Sequence, residues 1–178
     1  NTDNNFGGAL SYTYGTSRDK GYYHPDGYWP NLFFTNHDLV RLGNLINWRF
    51  SETPSSANYF KRHKVAMAVL AAYSGPITIY YGDEWGAYVD GYTKEGELGA
   101  HNDNVARSTG KISGFTNAEQ DCLNYAKSLM NMRSENEVLW NGDSSTLVSQ
   151  SSYYVGKKTL GSEEVIFIIN NGTNSVSY

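Results

Sequence analysis

The 178-residue sequence predicts an α/β chain that closes in a small antiparallel sheet. Three observations carry that reading. Residues 31–81 run strand, helix, strand, the pattern of a βαβ unit. Residues 116–136 keep helical spacing behind a capping signal. From about residue 144 short segments broken by Ser, Gly and Asn replace the helical pattern, which marks an antiparallel sheet and a second domain.

Taken in order, residues 1–30 place Gly, Asn, Asp and Tyr too often for a long regular element. An irregular surface segment is expected there, with 9–14 extended. "NLFFT", residues 31–35, sits between Pro30 and the polar triplet Asn36-His37-Asp38 and reads as a short buried strand. A loop around Glu52-Thr53-Pro54 leads into a helix over 55–73. Ser55 or Ser56 can cap it, Phe60, Ala68, Val69, Ala72 and Tyr73 form its apolar stripe, and Gly75-Pro76 stops it.

"ITIYY", residues 77–81, is a continuous apolar and aromatic run that suits a strand covered on both faces of a parallel sheet. Residues 82–115 form a Gly-rich connection of a length usually reserved for function or disorder. Thr116 and Glu119 then make a capping box, and Cys122, Ala126, Leu129 and Met130 line one helix face. "STLVSQ", "YYVGKK" and "EVIFIIN" read as the three closing strands.

Composition narrows the function classes. The net charge is −4 and the Lys and Arg residues are scattered, which sets nucleic acid aside as a partner. No run of 18 apolar residues offers a membrane helix, so no membrane partner is expected. The lone Cys122 has no intramolecular disulfide partner, and His24, His37, His63 and His101 lack zinc-binding spacing, so no metal is assigned. The chain starts at Asn1 without an initiator Met or an apolar signal segment, and is expected to be processed or a piece of something longer. Fifteen Tyr, seven Phe and four Trp suit stacking on sugar rings and suit an aromatic core equally well.

In a parallel sheet the ends of 31–35 and 77–81 lie side by side. That gathers His37, Asp38, Asp83 and Glu84 on one rim, beside Asn36, with Asp103 and Arg107 in the loop beyond. An Asp beside a His can act as a charged stabiliser while the imidazole donates to a substrate hydroxyl. Strand-end Asn and Asp are also ordinary turn residues, so a structural rim accounts for the same pattern.

Two motifs carry a resemblance. "FFTNHD", 33–38, resembles the strand-seven motif of the α-amylase family of glycoside hydrolases, and "GPITIYYGDEWG", 75–86, resembles its strand-eight segment. They stand in the family's order with one helix between them. "DNVAR", 103–107, matches the Asp-x-x-x-Arg spacing of the following loop, and "LWNGD" matches the opening of the next domain. The resemblance covers most of residues 31–170.

It implies a partial (β/α)8 TIM barrel, strands seven and eight with their helices, over residues 1–140, and part of an antiparallel β-sandwich over 141–178. It also implies roles. Asp38 would be the carboxylate that grips the distorted sugar and stabilises the transition state, and His37 would donate to the same sugar. Asp103 and Arg107 would contact sugar hydroxyls or orient carboxylates, and Asn36, Asp83 and Glu84 would support the rim.

The partner implied is an α-glucan oligosaccharide or polysaccharide, and the missing N-terminal part of the barrel is expected in the parent chain. No nucleophile or acid/base motif precedes Leu32, and a retaining glycosidase needs both, so a fragment inactive by itself is expected. The resemblance allows calcium in the parent enzyme and favours an extracellular or periplasmic setting. A cyclomaltodextrinase or transglycosylase shares these motifs, and a non-catalytic glycan-binding module is the reading from another class. Elsewhere structural readings suffice: Leu129, Met130 and Met132 pack a helix face, and His24 and His101 lie in loops.

Overall fold

The computed structural model describes residues 5–15, 28–90 and 106–178. Its elements are α1 (Phe6–Gly15), α2 (Leu42–Phe50), α3 (Tyr59–Ala71), α4 (Asn117–Glu135), α5 (Glu137–Asn141), β1 (Asp143–Ser149), β2 (Tyr153–Leu160) and β3 (Glu163–Asn170). They fall into two compact units. One comprises Asn1–Leu32, Ala68–Ile77 and Leu129–Tyr178, the other Phe33–Met67 and Thr78–Ser128. No helix among the described residues is long and apolar enough to cross a membrane.

The first unit is built on an antiparallel sheet in the order β1-β2-β3. The two hairpins match the three strands read from the sequence, because alternation and short Ser- and Gly-bearing turns are local signals. β2 pairs with β3 without interruption from Tyr153 opposite Asn170 to Leu160 opposite Glu163. Tyr154 and Ile169 of the sheet are buried, and α1 packs against β1 and β2, bringing buried Leu10 and Tyr14. The Tyr14 ring lies 5.4 Å from that of Tyr154 and 5.8 Å from that of Phe167, and its hydroxyl donates to Val69 O at 3.0 Å. Edge and tilted ring contacts of this kind add to simple area burial.

α1 differs from the expected irregular segment. Asn5 Oδ1 accepts the Gly8 amide at 2.9 Å and caps the helix. Gly7 is there for closeness: a Cβ on it would stand 2.5 Å from the Gln150 backbone, and its amide donates to Gln150 O at 2.8 Å. Its partners lie on the β1–β2 turn, so a glycine that looks like a turn former is a contact point.

Arg133 of α4 ends α3 in the same unit. Its guanidinium donates to the carbonyls of Ala71, Tyr73, Gly75 and Leu139, and so covers the acceptors at and just beyond the end of α3. Buried Lys158 donates to Ser74 Oγ, which donates to Gly142 O at 2.6 Å. Strands were expected over 31–35 and 77–81. The structure forms a single parallel bridge between Leu32 and Ile77, with Leu32 N donating to Pro76 O at 3.1 Å. Parallel pairs need neighbours on both sides to extend, and no described strand flanks this one.

The second unit packs α2, the start of α3 and most of α4 around Val40, Ile46, Tyr59, Met67, Cys122 and Ala126. α2 occupies residues to which the sequence reading gave no element. It runs from Arg41 to a C-cap at Ser51 in the left-handed region, φ 56. Its Asn44 amide pairs with Val89 in both directions, Nδ2 to O at 2.9 Å and N to Oδ1 at 3.1 Å. α4 begins with the expected capping box: Thr116 N donates to Glu119 Oε2 at 2.7 Å and Glu119 N to Thr116 Oγ1 at 3.3 Å. Cys122 is the core residue its helix position suggested, and burial pushes its thiol up to about 12.

Candidate active-site rim

The rim residues lie in the second unit. Thr35 is fully buried and starts a turn through Asn36, His37 and Asp38. Asn36 Oδ1 accepts the Asp38 amide at 2.8 Å, an Asx turn that lifts the next two side chains outward. His37 and Asp38 are 64% and 63% exposed, open enough to meet a ligand. His37 Nε2 stands 3.2 Å from Asp38 Oδ2, and Arg107 Nη2 stands 3.5 Å from Asp38 Oδ1. Each carboxylate oxygen therefore faces its own nitrogen.

Asp83 behaves differently from Asp38. It is 2% exposed, and its Oδ2 accepts the Thr35 hydroxyl at 2.5 Å. Burial raises its pKa to about 6, against the lowering effects of the Thr35 bond and of the Arg41 charge; Glu84 adds to the rise. Glu84 Oε2 accepts the Gly82 amide at 2.6 Å. Both acids thus brace the turn that follows Tyr81, whose backbone closes by Asp83 N to Tyr80 O at 3.0 Å and Ala87 N to Gly82 O at 2.8 Å.

Two buried side chains in this unit went unread in the sequence. Arg41 is 1% exposed, and its guanidinium meets Tyr81 O, Ser108 and the rings of Tyr80 and Tyr81. An Arg between Val40 and Leu42, in an otherwise apolar run, was the available signal. His63 is fully buried beside the Tyr59 ring at 4.9 Å, and neither ring nitrogen has a hydrogen-bond partner. Burial lowers its pKa to about 3; the nearby Asp83 backbone opposes this without hydrogen-bond geometry. Asp103, His24 and His101 lie outside the described residues.

Among the described residues no group of three or more His, Cys, Asp or Glu side chains could hold a metal ion. The first unit carries a separate open cavity of about 580 Å³ lined by Trp29, Met130, Arg133 and Trp140. The Arg133 guanidinium in it is already engaged by backbone carbonyls. Exposed groups that could act on a ligand meet at Asp38.

No family profile matches the chain, and no curated protein sequence matches it. Solved structures do. AmyP in complex with maltose is 34% identical over 83% of this chain, with a TM-score of 0.77. A glutamate-to-glutamine variant of AmyP in complex with maltotriose is 33% identical over 85%, again with a TM-score of 0.77. The α-amylase from Geobacillus thermoleovorans, complexed with acarbose, shares the fold over 84% of the chain at 24% identity and a TM-score of 0.64.

Its solved neighbours are α-amylase-family enzymes, and the chain resembles part of them. It spans about a third of the length of the AmyP chains, 32% in both complexes, and 29% of the Geobacillus enzyme. The chain is thus a small α/β structure with a three-stranded antiparallel sheet that matches part of those larger proteins.

Proposed function

We propose that this chain is the C-terminal part of a glycoside hydrolase acting on α-1,4-glucans such as starch and maltooligosaccharides. In this reading residues 1–140 complete a (β/α)8 catalytic barrel, and 141–178 open a C-terminal β-sandwich. The parallel bridge between Leu32 and Ile77, with α2 and α3 between them in sequence, supports the first assignment. The β1-β2-β3 sheet supports the second.

The observation that carries the function is the exposed Asp38 carboxylate, with His37 at one oxygen and Arg107 at the other. The maltose and maltotriose bound by AmyP support an α-glucan as the ligand.

Retaining cleavage passes through an oxocarbenium-like transition state and needs a nucleophile and an acid/base roughly 5 Å apart. Asp38 is neither. Its fixed negative charge stabilises the positive charge that develops on the sugar, and its oxygens grip hydroxyls of the distorted ring. His37 donates to the same sugar. Arg107 holds the carboxylate in place before substrate arrives, so little reorganisation is needed during reaction. Asp103, outside the described residues, is assigned to sugar hydroxyls or to the orienting of carboxylates, while Asn36, Asp83 and Glu84 brace the turn.

Nucleophile and acid/base come from barrel segments that this chain does not carry. Alone it binds at most part of a sugar and leaves no bond-breaking step to accelerate. The reading assigns no metal ligand to these residues, leaves calcium open to the parent enzyme, and favours an extracellular or periplasmic setting for it.

The test is maltooligosaccharide hydrolysis by the complete protein carrying Asp38→Asn. Loss of a preorganised charge at the reacting centre lowers kcat by roughly 10²–10³-fold or more, with the circular dichroism unchanged. Turnover equal to that of the unaltered protein overturns the reading.

A further inference from the structure

We propose that Arg41 is a positioning residue that holds Arg107 against Asp38. The proposal rests on the roles given above to Asp38 and Arg107. Arg41 follows Asp38 by three residues, and its side chain turns inward, 1% exposed. Its Nε donates to Ser108 Oγ at 3.2 Å, Nη2 to Ser108 O at 3.5 Å, and Nη1 to Tyr81 O. The guanidinium also lies 4.2 Å from the Tyr81 ring centroid and 5.0 Å from that of Tyr80.

Tyr81 completes the clamp. Its hydroxyl donates to Ser108 O at 2.7 Å and to Ala106 O at 3.4 Å. The two residues that flank Arg107 in sequence are therefore both held from below, one by Arg41 and Tyr81 together and one by Tyr81. Arg107 is left half exposed, reaching to 3.5 Å from Asp38 Oδ1. The fork geometry explains the choice of residue: a lysine ammonium is a single point and cannot serve Ser108 Oγ, Ser108 O and Tyr81 O from one plane while stacking on a ring.

A buried cation is costly unless its donors are satisfied, and a well-packed apolar residue would hold this space without that cost. What an apolar residue cannot do is fasten the Arg107 segment to the turn that carries Asp38.

The test uses the complete protein with Arg41→Gln, Arg41→Lys, Arg107→Gln and the Arg41→Gln/Arg107→Gln double variant. Two readings are taken: kcat/KM on maltooligosaccharides, and amide hydrogen exchange at residues 106–108. Arg41→Gln is expected to lower kcat/KM about as far as Arg107→Gln, roughly tenfold or more. The double variant should fall no further than Arg107→Gln alone, as for groups acting through one another. Arg41→Lys should recover little, and exchange at 106–108 should accelerate in both Arg41 variants.

Losses that multiply in the double variant would overturn the proposal, because Arg41 would then act independently of Arg107. Unchanged exchange at 106–108 in Arg41→Gln would overturn it whatever the catalytic outcome. Failure of the functional reading has a different signature, an Asp38→Asn protein with full turnover.

Discussion

Thr35 Oγ1 lies 2.5 Å from Asp83 Oδ2, so a hydroxyl placed just ahead of the Asn36-His37-Asp38 turn donates to a carboxyl that water does not reach. Thr35→Val keeps the shape and removes the donor. The buried carboxyl is then short of a partner, and the protein should lose about 1–3 kcal/mol in urea unfolding at pH 7. The Asp83 pKa should rise further above about 6, because the bond that now lowers it is gone. A carboxyl carbon signal followed by NMR titration reads this directly.

Asp83 and His63 make opposite contributions to stability against pH. Asp83 titrates near 6 in the fold against an ordinary 3.8, so its contribution is complete below 3.8 and lost as pH rises through about 6. His63 titrates near 3 against an ordinary 6.5, so its contribution is complete above 6.5 and lost as pH falls towards 3. Between 3.8 and 6 the two slopes offset each other. His63→Phe should uncover the Asp83 slope, and unfolding free energy should then fall as pH rises through that window. A His63→Phe protein with the same pH dependence as the parent sequence would contradict the pairing.

Lys158 offers a third titration. Burial, with Arg133 close by, lowers it to about 7 against an ordinary 10.5, and Asp143 opposes the shift. Its contribution is complete above 10.5 and lost as pH falls through about 7. In that window stability should rise by up to about 1.4 kcal/mol per pH unit from this group. Comparing urea midpoints at pH 7.5 and 9 should show that gain in the unaltered protein and its absence in Lys158→Met.

Gly82 holds φ at +102 where it approaches the rim clamp. A Cβ there would stand 2.7 Å from Ala87 Cβ and 2.8 Å from Arg41 Nη1. Gly82→Ala meets both the backbone penalty and a clash with a residue that is itself fixed. A loss on the order of 2 kcal/mol or more is expected in thermal or urea unfolding. A neutral substitution would mean that Arg41 is not held where the geometry has it.

How much of this was legible in the sequence follows from how local each signal is. The Thr116–Glu119 box and the three closing strands are fixed by residues within a few positions, and both were read correctly. α1 was missed because the reason for Gly7 is the Gln150 backbone, far along the chain. Arg41 was missed for the same cause: its partners Tyr81 and Ser108 are distant in sequence, and only burial distinguishes it from a surface charge. Asp83 and Asp38 look alike as strand-end acids, yet one is buried on Thr35 and the other faces solvent. Nothing in the residue type separates them.

On the proposed function, this chain carries the stabilising side of a glucan-cleaving rim without the groups that break the bond. The most direct measurement is maltooligosaccharide hydrolysis by the purified 19.9 kDa chain, its mass verified under denaturing conditions. No turnover above background is expected. Turnover by this chain that Asp38→Asn abolishes would contradict that reading, because a nucleophile and an acid would then have to lie within these 178 residues.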